Sequence, residues 1–125
     1  MDRSTAGTGA EPPAGVTFHL VPSAVWEAQR RGPLYRPEGF ERDGFVHCTD
    51  DLNHLVVPAN AYYRDDPRPF LALEVDLDAV SAPARYDDEA RRYPHVYGAI
   101  EVAAVRRILI AVRDADGTFT GFVTK

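Results

Sequence analysis

The chain is short of several things. It has one cysteine, Cys48, so no internal disulfide can form and nothing argues for an oxidising compartment. Lys125 is the sole lysine among 14 basic residues, and 19 acidic residues outweigh these to leave a net charge of -5. Such a chain does not attract nucleic acid or anionic lipid through its overall charge, so neither nucleic acid nor membrane is an expected partner. No apolar run approaches the ~18 residues of a membrane span. The opening Met1-Asp2-Arg3-Ser4 leads into Gly, Ala and Pro with no apolar stretch that reads as a signal peptide. The expected location is cytoplasmic. No P-loop, G-x-G-x-x-G or G-x-S-x-G motif occurs.

What is there is an ordinary globular balance, 45% hydrophobic and 26% charged, over 125 residues. That length holds one core. Residues 1–14 are small, polar and Pro-rich and are expected to be a disordered tail. The remaining residues, 15–125, form the single domain.

The domain opens on a β-rich run, Val16 to Val21. Ser23 is a plausible N-cap for a helix through Arg31, and Gly32 ends it. A polar loop precedes a second strand, Phe45 to Thr49. Thr49 is then expected to cap a helix running to about Tyr63, with Asp50 and Asp51 in its first turn. Leu52, Leu55, Val56, Ala59 and Tyr63 fall at helical spacing as its buried stripe, and Pro58 predicts a kink or break. Pro69–Val75 is a third strand, and Ala84–Tyr86 a short one. Tyr93–Ile100 is extended, Glu101–Ala104 suits one helical turn, and Val105–Arg113 is a strong strand. Asp116-Gly117 signals a hairpin that returns as an edge strand. Early helices and late strands predict an α+β domain: a split, mainly antiparallel β-core with two or three helices.

Side chains alternate across a strand. In the first strand Val16, Phe18 and Leu20 share one face, and Thr17, His19 and Val21 the other. In the second, Val46 and Cys48 oppose Phe45, His47 and Thr49. In the third His-bearing segment, Pro94, Val96 and Gly98 oppose Tyr93, His95 and Tyr97. Each segment has an apolar or small face for the core and a face that gathers an imidazole with hydroxyls or rings. Any one of these histidines is accounted for by a backbone hydrogen bond at a strand end. The same pattern three times points instead to a shared groove. There His19, His47 and His95 are the candidate catalytic residues, and Thr49, Tyr93 and Tyr97 line a flat polar ligand. Arg36, just before the loop to His47, is the candidate phosphate clamp.

Zinc sites place two ligands a few residues apart, and no such pair occurs, so no metal is expected. Cys48 lies on the core face and is expected to be an inert packing thiol. His54 falls off the helical stripe and is expected on a solvated face. Glu74 and Glu101 are the carboxylates nearest ordered segments.

Phe18-His19-Leu20-Val21-Pro22, Trp26-Glu27-Ala28, Tyr35-Arg36-Pro37, Gly44-Phe45-Val46-His47-Cys48-Thr49, Ala59-Asn60-Ala61-Tyr62-Tyr63 and Pro94-His95-Val96-Tyr97-Gly98 together resemble a small bacterial family, domain-of-unknown-function family nine-fifty-two. The resemblance spans about residues 16–112. It implies an ADP-ribosyltransferase-like fold with a nicotinamide-binding cleft. By segment order it implies that His19 holds a ribose and that His47 lines the nicotinamide pocket. His95 stands where such transferases carry a late-strand Glu. The ligand so implied is nucleotide-like, with NAD as a substrate and no further cofactor. The rival readings are general acid/base chemistry on another small molecule by the His cluster, and ligand binding or protein interaction without chemistry. Members of the family often carry a glutathione S-transferase label, but such enzymes need a thioredoxin-like and an all-helical domain, which this length cannot hold.

Overall fold

The structure, a computed structural model, describes residues 11–125. Most of the expected tail lies outside the described residues. Residues 11–14 adopt neither helix nor strand, and Pro13 among them is buried.

The elements follow in the order β1 (Val16–Pro22), α1 (Ser23–Gln29), β2 (Leu34–Tyr35), α2 (Phe40–Asp43), β3 (Val46–His47), a 3-10 turn (Leu52–Leu55), α3 (Val56–Tyr63), β4 (Phe70–Asp76), β5 (Ala84–Tyr86), β6 (Pro94–Val96), β7 (Ile100–Glu101), β8 (Val105–Arg113) and β9 (Phe119–Thr124). The main sheet has strand order β1-β4-β8-β9, a small sheet has order β3-β6-β5, and β2 pairs with β7. All these pairings are antiparallel. The protein is therefore an α+β single domain with a mainly antiparallel core and few helices. No helix among the described residues is long and apolar enough to cross a membrane.

The main sheet is covered on both faces. On β4, Leu71, Leu73 and Val75 face one cluster with Val21, Trp26 of α1, Tyr35, Val46 of β3 and Val96 of β6. Ala72 faces the other side with Phe18, Leu55 and Leu109, and Phe70 packs there with Ala59 of α3 and Phe119 of β9. Double cover explains why β4 is apolar almost without alternation. It also corrects the reading of β1. The Thr17–His19–Val21 face is no open cleft: all three are buried, while Val16 on the supposed core face is 46% exposed.

Three local expectations are also corrected. Pro22, not Ser23, is the N-cap of α1, and the Ser23 N–H donates to the Pro69 carbonyl. Thr49 caps nothing, because its backbone exchanges hydrogen bonds of 2.8 and 2.9 Å with Phe18. Asp51 takes over the cap, its carboxylate accepting from the Asn53 N–H. The helix expected to run unbroken up to Pro58 is divided earlier: a 3-10 turn gives way to α3 at Val56, so Pro58 sits in the first turn of the α-helix, where a missing N–H is harmless.

Candidate functional site

A pocket of about 490 Å³ opens along the outer edge of β1. His19, Leu20 and Pro22 form one wall, and Tyr35 and Pro37 continue it. Glu38, Gly39, Arg42 and Asp43 come from the loop and α2, His47 and Thr49 from β3 and its end. Leu55, Pro58, Tyr62 and Tyr63 close it from the 3-10 turn and α3. Gly44, at φ 80°, ends α2 in the left-handed conformation and turns the chain from Asp43 towards β3.

The buried end holds a fixed pair. His19 Nδ1 lies 2.7 Å from the His47 carbonyl, which can only accept, so Nδ1 carries the hydrogen. Burial pulls the His19 pKa down from 6.5 to about 4, with the His47 imidazole lowering it further and the carbonyl contact opposing. The ring is therefore neutral, its Nε2 is an acceptor, and the Tyr35 hydroxyl 2.8 Å away donates to it. Tyr35 is fully buried, edge-on to both His19 and Trp26, and burial pushes its hydroxyl pKa far up. Both His19 nitrogens are thus occupied by protein. The pair therefore forms the closed end of the pocket.

Nearer the mouth, His47 Nε2–H donates to Asp43 Oδ2 at 3.0 Å. Arg42 and His47 together hold the Asp43 carboxyl below the usual carboxylate range. Glu38 forms two 3.1 Å contacts with Arg68.

His95 lies outside this pocket. It pairs with His47 across the β3–β6 ladder, rings 5.3 Å apart, and stacks on Phe45 at 3.9 Å. Its Nδ1–H donates to Asp87 at 2.8 Å. Tyr97 and Arg85 converge on the same carboxylate, and the three donors, Tyr97 foremost, hold the Asp87 pKa down to about 2. His47 is the link between the two groups. The pocket lining brings together His19, His47 and Thr49 and leaves out His95, Tyr93 and Tyr97. Tyr93 turns away to meet His54 Nε2 at 2.7 Å, so His54 is a half-buried hydrogen-bond partner and not a solvated one. Arg36 is exposed and does not line the pocket. Its peptide is gripped by the Gln29 side-chain amide at 2.9 Å in both directions, which holds the backbone and leaves the guanidinium outside. Glu74 pairs with Arg107 and Glu101 accepts from the Ser81 N–H, so neither reaches the pocket. Cys48 is 3% exposed, and burial raises its thiol pKa well beyond the usual range. Among the described residues no group of three or more His, Cys, Asp or Glu side chains could hold a metal ion.

A model of the family described as "Protein of unknown function (DUF952)" matches residues 20–108. The chain belongs to the DUF952 family. No curated protein matches it. The crystal structure of protein CC0527 from Caulobacter crescentus is 20% identical to this DUF952 chain, covers 83% of it and 92% of its own length, and superposes with a TM-score of 0.70. The crystal structure of a double mutant of CC0527 gives the same values. Its solution NMR structure is 22% identical, with 84% and 90% coverage and a TM-score of 0.60. The likeness is one of fold.

Sequence reasoning missed Tyr35 and Asp43 in this DUF952 chain. Asp43 and His47 stand four apart, a spacing visible in the sequence. Tyr35 stands in the sequence reading only within the Tyr35-Arg36-Pro37 motif, with no role of its own. Only the tertiary contact with His19, 16 residues away, makes it part of the site.

Proposed function

We propose that the pocket beside β1 binds a nucleotide-like or other small polar ligand on an ADP-ribosyltransferase-like framework, and that any chemistry there acts at the nicotinamide ribose of NAD. The observation that carries the reading is the His19–Tyr35 pair at the buried end of a pocket whose other walls are largely apolar and aromatic. A few aimed polar groups among apolar walls is the usual make-up of a small-molecule site. His19 acts in this reading as a positioning residue. Its neutral ring fixes the Tyr35 hydroxyl, and the pair shapes the closed end of the pocket against which the ligand packs. Asp43 supplies the carboxylate missing from the His95 motif. It lies beside His47, where a negative charge favours an oxocarbenium-like transition state.

The Asp43–His47 contact also favours a second reading, general acid/base chemistry on a different small molecule, with Asp43 orienting the imidazole. A thermal-shift screen with NAD, ADP-ribose and nicotinamide, joined to an assay for released nicotinamide, separates the cases. A stabilising shift with NAD, lost in Tyr35→Phe, and nicotinamide release lost in Asp43→Asn support the first reading. A shift without turnover leaves a binding protein. No shift with any of the three removes the nucleotide assignment.

A further inference from the structure

We infer that the pocket selects the cationic part of its ligand and rejects anions. The inference rests on the reading of this cavity as a ligand site. The formal charges on its walls are the carboxylates of Glu38 and Asp43 and the guanidinium of Arg42. His19 adds nothing positive at the buried end, where its ring is neutral at neutral pH. Depth decides between the opposed charges. Arg42 Nε donates to Asp43 at 2.9 Å, but the Arg42 side chain is 79% exposed and the Asp43 side chain 23%, so water screens the guanidinium while the carboxylate is the innermost formal charge of the pocket. Arg68, the partner of Glu38, does not line the cavity, and Arg36 does not either.

Two exposed rings, Tyr62 and Tyr63, line the same space. Aromatic faces attract cations through their negative quadrupole, and organic cations are commonly held between such rings and a carboxylate. Tyr63 and Asp43 both line the cavity, so ring and charge share one volume. A flat cation with N–H donors suits this arrangement: its face meets Tyr62 or Tyr63, and its donors meet Asp43. A phosphate or carboxylate placed there meets two carboxylates and one guanidinium, and that guanidinium is already bonded to Asp43 at 2.9 Å. Phosphates of a larger ligand therefore lie outside, towards solvent.

Benzamidine, benzamide and benzoate have nearly the same shape and carry positive, zero and negative charge. Titration of each into isotopically labelled protein, followed by amide chemical shifts, tests the proposal. Benzamidine is expected to bind about tenfold tighter than benzamide, the scale of one charge-assisted contact, and benzoate weakest. Shift changes should centre on Tyr35, Asp43, His47 and Tyr63. Asp43→Asn should erase most of the benzamidine advantage, and Glu38→Gln part of it. If Asp43→Asn does not fold, the wild-type advantage must still shrink as salt is raised. Benzoate binding as tightly as benzamidine, or an advantage indifferent to both substitutions and to salt, overturns charge selection and leaves the ligand site standing. No shift change around the pocket with any of the three overturns the ligand site itself.

Discussion

His19 makes the folded state sensitive to acid in a calculable way. Its pKa falls from 6.5 to about 4 on folding, because the ring is 4% exposed and burial penalises the imidazolium. The unfolded chain therefore takes up a proton as pH drops through 6.5, while the folded protein does not until about pH 4. The stability tied to the neutral ring is fully present above pH 6.5 and is lost as pH falls from there towards 4. At about 1.4 kcal/mol per unit, the loss over the whole window is about 3 kcal/mol. Between pH 6.5 and 5, above the range where most carboxylates titrate, it is about 2 kcal/mol. Urea unfolding at half-unit pH steps measures this directly, with His19→Gln as the reference. The variant can be less stable at every pH. What matters is that its stability declines less steeply, by about 2 kcal/mol between pH 6.5 and 5. Parallel curves for the two proteins would refute the claim that His19 is buried and neutral.

Other outcomes follow from the same geometry. Tyr35→Phe leaves the buried His19 Nε2 without its donor and should lower stability by about 1 to 3 kcal/mol in urea unfolding, without changing the backbone spectrum. Cys48 should resist a thiol reagent in the folded protein and react only on the timescale of unfolding, since it is buried and its thiolate strongly disfavoured. Gly117→Ala should destabilise by about 1 kcal/mol or more in thermal melts. Its φ is +95°, and a Cβ there would stand 2.4 Å from the Arg64 carbonyl oxygen.

The β-hairpin at Asp116-Gly117 and the long β8 strand were legible because each is a local pattern, and Gly117 has the positive φ the turn requires. The helical stripe was legible only in part: Leu55 and Ala59 are buried, but Tyr63 is 39% exposed and Leu55 belongs to the 3-10 turn. The cover on β1 was not legible. Alternation says only that Thr17, His19 and Val21 share a side. That this side is buried comes from Tyr35, Val46 and Cys48, which reach it through tertiary packing. The same limit applies to the site. Neighbours in the ladder, His47 and His95, were grouped correctly with one another, yet only His47 borders the pocket. Phe45 lies against His95 and Asp87 anchors it, so the imidazole is committed to a separate surface cluster. Arg36 was chosen for its place in the sequence, whereas Gln29 fixes its backbone and Arg42 is the cation that reaches the pocket wall.

The central claim is that the cavity beside β1 is where this protein meets its ligand. An amide chemical-shift titration with NAD tests it most directly. The account predicts saturable changes at Tyr35, Asp43, His47, Thr49 and Tyr63 that vanish in Tyr35→Phe. Changes confined to the shallow basic groove around Trp26, Arg106 and Lys125, or none at all, would contradict it.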